Sequence, residues 1–368
     1  MRILFAGGGT AGHINPGLAI ANYISDYEQG ATIKFVGTTE GLEAELVPKS
    51  GYEIEFIKIH GFERCMNLQN FKNFYEMPAS IIKSKKIIKD FKPDVVIGTG
   101  GYVSGPVLYA AAKMKIPTLI HESNAFPGIT TKILAKYVDT VALGIDDAKK
   151  YLKNCKNSVL TGNPVRPSIL ATGEFEARRR LMLDARPFIV IFGGSLGARD
   201  FNKTIVDWIS NIANEKKYQI IMGTGKFHQL DDVMNRFKEN GIDVNTLEGI
   251  KVSEYIYDME IVMSAADVVV SRAGASTLAE LTALGKPAIL VPSPYVTGNH
   301  QEYNARAIES GGGAVVILEK DFTMQMLNKT ILNMTENPEK LLNMKKASKK
   351  MGTIEATEKI YNEVKKIL

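Results

Sequence analysis

Two cysteines in 368 residues, Cys65 and Cys155, are too few for a disulfide framework or a cysteine-rich metal site, and they fit a reducing compartment. No run reaches the roughly 18 consecutive apolar residues that a membrane-spanning helix needs. The opening MRILFAGGG carries one basic residue and a short apolar run ending in glycines, so no secretory signal is expected. No glycine loop continues into Gly-Lys-Ser or Gly-Lys-Thr, which excludes a Walker A site. Charge of one sign is also scarce. Lys and Arg number 45 against 40 Asp and Glu, a net +5, which suits anionic ligands or anionic lipid but is too weak to argue for nucleic acid, and no nucleic-acid partner is expected.

What is present is a globular composition. With 45% hydrophobic and 23% charged residues, wholesale disorder is ruled out, and the length suits two domains. Apolar runs read as buried strands over Arg2–Ala6, Thr32–Val36, Asp94–Gly98, Pro117–His121, Val138–Leu143 and Ser158–Thr161, and again over Phe188–Phe192, Tyr218–Met222, Asp267–Ser271 and Ala288–Val291. Helical spacing follows several of them, over Pro16–Ser25 and Asp200–Ile212 for example. Strands alternating with helices predict an α/β fold of two similar, Rossmann-like, doubly wound parallel sheets. The prolines and glycine of Gly162–Pro167 mark the boundary, giving an N-terminal domain over 1–162, a C-terminal domain over 163–340 and a helical tail over 341–368 that is expected to pack back on the first domain. Ligands of such sheets bind beyond the C-terminal strand ends, so two of them facing each other would line a cleft with their glycine loops.

Six strand-end segments carry candidate chemistry. Gly7–Gly12 formally matches GxGxxG and leads into a helix, a context in which glycines let a backbone approach an anion, with His13 directly after it. Glu40, past the second strand, stands where a ribose-binding acid would in a dinucleotide site. Gly98–Pro106 holds four glycines in nine residues, and His121–Asn124 places polar side chains suited to hydroxyl recognition or proton transfer. Gly193–Arg199 offers backbone N–H groups and the Ser195 hydroxyl to a phosphate. Ser271–Glu280 offers Ser276 and Thr277 as helix caps and Glu280 as an acceptor for a vicinal diol. Thr297–Asn304 adds further hydrogen-bonding side chains. Residues 62–92 stand apart: aromatics and isoleucines interleave with lysines, which suits either an amphipathic helix on a core or the edge of an anionic membrane.

Taken together, GGGTAGHINPGLAIA, GTGGYVSGP, HESNAFPG, TGNPVR, IFGGSLGA, SRAGASTLAE and HQEYNA resemble the MurG family of peptidoglycan glycosyltransferases, in order and over most of the chain. The resemblance implies a GT-B fold and an inverting hexosyltransferase that moves N-acetylglucosamine from UDP-N-acetylglucosamine to the muramyl C4 hydroxyl of lipid I, the undecaprenyl-diphosphate-linked muramyl pentapeptide, giving lipid II. It implies no cofactor and no metal, consistent with the lack of a DxD at a strand end. It implies peripheral attachment to an anionic membrane surface on the cytoplasmic side.

By motif position the resemblance puts Thr10, Ala11 and Gly12 at the sugar-nucleotide end of the first loop, Asn124 and Gln301 on the donor sugar, and Arg166 and Ser195 near the nucleotide, Ser195 at its diphosphate. Ile256 offers its backbone to uracil, and Ala275, Ser276, Thr277 and Glu280 bracket the nucleotide, with Glu280 on the ribose. The family commonly has Gln where Ser123 stands. Direct displacement needs a base for the acceptor hydroxyl; His13 is the first choice and Glu122 the second. The rivals are an NAD-dependent dehydrogenase, another GT-B UDP-sugar enzyme such as a lipid glycosyltransferase or a UDP-N-acetylglucosamine 2-epimerase, and a non-catalytic membrane adaptor.

Overall fold

The structure, a computed structural model, describes residues 1–60, 68–226 and 229–368, the side chains of 68–75 aside. The chain forms two compact units, one of Met1–Val165 with Thr353–Leu368 and one of Arg166–Gly352.

The first unit is a seven-stranded parallel sheet. Its strands are β1 (Arg2–Gly7), β2 (Thr32–Gly37), β3 (Glu53–Phe56), β4 (Val95–Gly100), β5 (Thr118–Glu122), β6 (Thr140–Leu143) and β7 (Ser158–Leu160), in the order β3-β2-β1-β4-β5-β6-β7. Helices α1 (Ala11–Tyr27), α2 (Glu43–Lys49), α3 (Leu68–Phe91), α4 (Gly101–Lys113) and α5 (Ile129–Leu134) connect them. The central strands are apolar without a break because both faces of the sheet are covered. Ile3, Phe5, Val95 and Ile97 pack against Ile20 and Ile24 of α1, while Leu4, Val96 and Ile120 pack on the opposite face against Ile88 of α3 and Val107 and Leu108 of α4.

The second unit repeats this plan with six parallel strands: β8 (Phe188–Phe192), β9 (Gln219–Gly223), β10 (Ile250–Ser253), β11 (Val268–Ser271), β12 (Ala288–Leu290) and β13 (Ala314–Val316), in the order β10-β9-β8-β11-β12-β13. It carries α6 (Glu174–Arg180), α7 (Arg199–Ile212), α8 (Gln229–Glu239), α9 (Met259–Ala265), α10 (Ala275–Leu284), α11 (His300–Ser310), α12 (Met324–Thr335) and α13 (Pro338–Met351). Trp208 is fully buried in its core, and its indole N–H donates to Asn328 Oδ1 at 3.1 Å. The chain after residue 340 does not stay together: α13 belongs to the second unit, and a last helix, α14 (Ala356–Ile367), lies in the first. There Ile360 and Val364 join the α1 face of the core, and the Tyr361 hydroxyl donates to Glu28.

One boundary differs from the sequence expectation. The first helix begins at Ala11 rather than Pro16, so His13 sits on its first turn and Pro16 lies inside it. A proline there has no N–H to give the Gly12 carbonyl, a local loss that the buried Ile14, Ile20 and Ile24 outweigh.

In both sheets the strand order reverses beside the first strand of the unit, between β1 and β4 and between β8 and β11. These switch points are where open parallel sheets receive ligands, and the glycine-rich segments of the sequence lie there.

Candidate active site

At the first switch point β1 and β4 slip register between Ala6 and Gly7, which brings Gly7 opposite Gly100. The Ser104 hydroxyl ties the two strand ends, donating toward the Ala6 and Gly100 carbonyls at 2.8 Å each. Gly100 and Gly101 have φ of 104° and 75°, which side-chain-bearing residues rarely adopt. The space is needed as well: a Cβ at Gly100 would lie 2.5 Å from His13 Nδ1, and one at Gly101 would lie 2.3 Å from the Gly8 carbonyl oxygen. The imidazole of His13 is therefore seated against the start of α4. Thr10 caps α1 in extended backbone, and its carbonyl accepts from the N–H groups of His13 and Ile14 at 3.0 and 3.2 Å. Ala11 and Gly12 occupy the first turn, where helical N–H groups lack partners within the helix.

The HESN segment ends β5. His121 is wholly buried, with Nε2 3.2 Å from the Gly162 carbonyl and Nδ1 3.5 Å from the Ser123 hydroxyl. Donation from Nε2 to Gly162 leaves Nδ1 to accept from Ser123, so Ser123 serves its neighbour. Burial pulls the His121 imidazole down to about 4, against the opposing pull of the Gly162 carbonyl and of Glu122; the nearby His13 also opposes its protonation. Below the unfolded value near 6.5 the unfolded chain takes up a proton here that the folded chain refuses. Stability contributed by neutral His121 is thus full near pH 7 and declines by about 3 kcal/mol as the pH falls to 4. A His121→Gln variant is expected to lack this component, so its denaturation midpoint should approach that of the parent between pH 7 and 4.5; parallel pH dependences would reject it.

Glu122 lies beside it with both carboxylate oxygens engaged. Oε1 accepts from the backbone and side-chain nitrogens of Asn124 at 3.0 and 3.2 Å, and Oε2 from Gly128 N at 3.0 Å. This carboxylate organises the turn that presents Asn124. Glu40, which stood where a ribose acid would, is exposed and faces His60 at 3.5 Å. The acid that does reach the first glycine loop is Glu43, three residues on.

In the second unit the loop after β8 turns through Gly194 and Gly197 and enters α7. Ser195 is exposed, and its carbonyl accepts from Lys226 N at 3.1 Å, which joins this loop to the one after β9. That second loop is joined in turn to the segment before Ile256, where Gly225 N donates to the Glu254 carbonyl at 2.9 Å. Ile256 itself is buried against Gly223.

Helix α10 starts at Ala275 behind Gly274, an extended cap without a side chain. Ser276 and Thr277 therefore lie inside the first turn and do not cap it, a correction to the sequence reading: the tight exit from β11 leaves the capping position to glycine. Glu280, one turn on, accepts from Arg166 Nε at 2.7 Å, and this contact raises the guanidinium pKa. The two residues expected on the nucleotide are thus already paired. Gln301, at the start of α11, accepts from Ser293 N through Oε1 at 2.9 Å.

Sequence reasoning singled out Arg272 only as a loop member. Its buried guanidinium forms two bonds to Glu319, at 2.6 and 3.0 Å, and one to the Val291 carbonyl at 3.1 Å, binding the ends of β11, β12 and β13 together. An arginine directly after a buried strand was the available signal.

Thr10, Ala11, Gly12, His13, Glu122 and Asn124 thus stand at strand ends of the first unit, and Arg166, Ser195, Ile256, Ala275, Ser276, Thr277, Glu280 and Gln301 at loops and helix starts of the second. Among the described residues no group of three or more His, Cys, Asp or Glu side chains could hold a metal ion.

Two Rossmann-like parallel-sheet domains, each with glycine loops at its switch point, make the GT-B fold. The family model described as "Glycosyltransferase family 28 N-terminal domain" matches residues 3–143, and "Glycosyltransferase family 28 C-terminal domain" matches 188–360. The chain belongs to glycosyltransferase family 28. A relative from Acetivibrio thermocellus, 48% identical over all of this chain and 98% of its own, is named UDP-N-acetylglucosamine--N-acetylmuramyl-(pentapeptide) pyrophosphoryl-undecaprenol N-acetylglucosamine transferase. One of the same name from Clostridioides difficile is 43% identical over all of this chain and 89% of its own. Among solved structures, Acinetobacter baumannii MurG superposes with a TM-score of 0.81 at 25% identity over 99% of both chains. A UDP-GlcNAc 2-epimerase from Neisseria meningitidis, bound to UDP-GlcNAc, shares the fold at a TM-score of 0.67 and 15% identity over the whole of both chains.

Proposed function

We propose that this chain is the hexosyltransferase that moves N-acetylglucosamine from UDP-N-acetylglucosamine to the C4 hydroxyl of the muramyl group of lipid I, forming lipid II and UDP. The observation that carries this reading is full-length identity of 43–48% to relatives named for that transfer. The dehydrogenase alternative leaves the loops of the second unit idle. The epimerase alternative rests on shared fold alone. The test is UDP release from UDP-N-acetylglucosamine with and without lipid I. Release that depends on lipid I supports the reading; acceptor-independent conversion of the sugar nucleotide overturns it.

The chemistry proposed for each residue is the one that the family resemblance implies for its motif. The acceptor O4 attacks the anomeric carbon as the bond to the diphosphate breaks, and the configuration inverts. His13 takes the hydroxyl proton: its imidazole is held at the switch point, against the start of α4. The departing diphosphate gathers charge that the N–H groups of the Ser195 loop and the start of α7 are placed to stabilise. Ala275, Ser276 and Thr277 present the first N–H groups of α10 to the nucleotide, and Ile256 offers its backbone to uracil. Thr10, Ala11 and Gly12 line the sugar-nucleotide end of the first loop, with Asn124 and the Gln301 amide on sugar hydroxyls.

Glu280 keeps one carboxylate oxygen for the ribose diol while Arg166 holds the other. Glu280→Ala is expected to weaken UDP binding by about 1.5–3 kcal/mol, the scale of hydrogen bonds to a charged group. Calorimetry with UDP checks this, and unchanged affinity would leave Glu280 as no more than the partner of Arg166.

The enzyme works as a peripheral protein on the cytoplasmic face of the membrane. Among the described residues no helix is long and apolar enough to cross a bilayer, and α3 carries exposed Ile82 beside exposed Lys83, Lys85 and Lys86. Helix α5 adds exposed Ile129 and Ile133 beside Lys132 and Lys136.

A further inference from the structure

We infer that Glu43 is a positioning residue for the transfer: it fixes the first glycine loop and, through it, the turn of α1 that carries His13. The inference rests on the reading of His13 as the base.

Glu43 is the first residue of α2, yet its side chain turns inward and is fully buried. A carboxylate out of water is tolerated only where donors meet it. Here three do: Gly9 N reaches Oε2 at 2.9 Å, and the backbone N–H and hydroxyl of Thr38 reach Oε1 at 2.9 and 2.7 Å. The neighbouring glycines show how closely the group is enclosed. A Cβ at Gly8, Gly37 or Gly41 would come within 2.3, 2.5 or 2.2 Å of its side-chain atoms. Three glycines thus leave room for one carboxylate.

Thr38 follows β2 directly and needs no long-range tie to be held. The bond to Gly9 is different, because it crosses 34 residues of sequence to a loop residue at φ +88°. On its other side Gly9 meets the ring of Tyr102, 3.1 Å from where a Cβ would stand. Pinned between the two, Gly9 sets Thr10, whose carbonyl accepts from His13 N. The imidazole that faces Gly100 is thus separated from the anchored amide by a single turn of helix, with no slack for an error in one to be absorbed before the other.

The test compares Glu43→Gln with Thr38→Val. The first keeps the shape but puts an NH2 group against a donor; the second removes one donor to the carboxylate and leaves the Gly9 bond in place. Glu43→Gln is expected to lower kcat by about tenfold or more, the scale for a misplaced catalytic group, and to move the acidic limb of the kcat–pH profile, with UDP affinity in calorimetry unchanged. Thr38→Val is expected to lose stability but keep the parent kcat and profile. A Glu43→Gln enzyme with parent kcat and profile, or equal changes in both variants, would overturn the inference. Amide exchange of Gly9 in the unmodified protein decides the case should Glu43→Gln not fold or should no acceptor be glycosylated. Protection matching the amides of β1 supports the anchor, and free exchange overturns it. Absence of transfer by the unmodified protein would count against the proposed function alone.

Discussion

Replacing His13 by alanine is expected to lower turnover by about 10²–10⁴-fold, the range for loss of a general base, while leaving UDP affinity nearly unchanged. The separation follows from where the residues stand. His13 lies on the first turn of a helix in the first unit, whereas the residues assigned to the UDP moiety, Arg166, Ser195, Ile256 and Glu280, belong to the second. A ring seated over Gly100 and Gly101 has little freedom to be replaced by a neighbouring group. The rival base, Glu122, already spends three acceptor sites on Asn124 and Gly128, so a proton on it would weaken the bonds that hold the turn presenting Asn124. Glu122→Gln is therefore expected to act through Asn124, raising the donor KM as well as lowering kcat. Single-turnover rates with saturating donor separate the two. Survival of turnover in His13→Ala together with its loss in Glu122→Gln would move the proton to Glu122.

The parts of this fold that were legible in the sequence are those whose environment leaves no choice. FIVIF and DVVVS are buried on both faces, so apolar residues run without interruption and the strand announces itself. The strands not foreseen, β3, β10 and β13, are short. β3 and β10 are half-exposed edges: Glu53 and Glu55 interrupt the first, Lys251 the second. On the site, a glycine cluster after a buried strand is a local signal, and each such cluster lies at a strand end that faces a switch point. What organises those loops is not local. Glu43 reaches Gly9 across 34 residues, and Arg272 reaches Glu319 across 47. Neither Glu43 nor Glu319 carries a mark in its own neighbourhood; only the sheet order brings each to its partner. The pairing of Arg166 with Glu280 spans 114 residues and was hidden for the same reason, although both residues had been picked out singly.

Membrane docking gives the second large effect. Lipid I is held in the bilayer, so an enzyme acting on its head group needs a reversible patch on the membrane surface. Residues 62–92 carry seven basic against three acidic residues, a net +4. Of this stretch, Phe62, Glu63 and Arg64 lie outside the described residues, as do the side chains of Phe71, Lys72 and Phe74, but the helix from 76 to 91 is clear about its two faces. Ser80, Ser84, Ile87, Ile88 and Phe91 are buried, and Ile81 is partly covered by the same core, so these are not available for insertion. Lys83, Lys85, Lys86 and Lys89 are exposed, with Ile82 among them at 69%. Each basic residue near an anionic surface contributes about 1 kcal/mol, screened by salt, so reversing three of them removes about 3 kcal/mol and adds repulsion. Changing Lys83, Lys85 and Lys86 to Glu is therefore expected to weaken binding to phosphatidylglycerol vesicles by about 100-fold or more at low salt. Activity on membrane-borne lipid I should fall with it. Activity on a short-chain, water-soluble acceptor should persist, because the three lysines belong to the solvent face of α3 and none contributes to the core. Unchanged vesicle binding, or equal loss on both acceptors, would make α3 an ordinary solvated helix and shift docking to another face, of which exposed Ile129 and Ile133 with Lys132 and Lys136 would be the next to reverse.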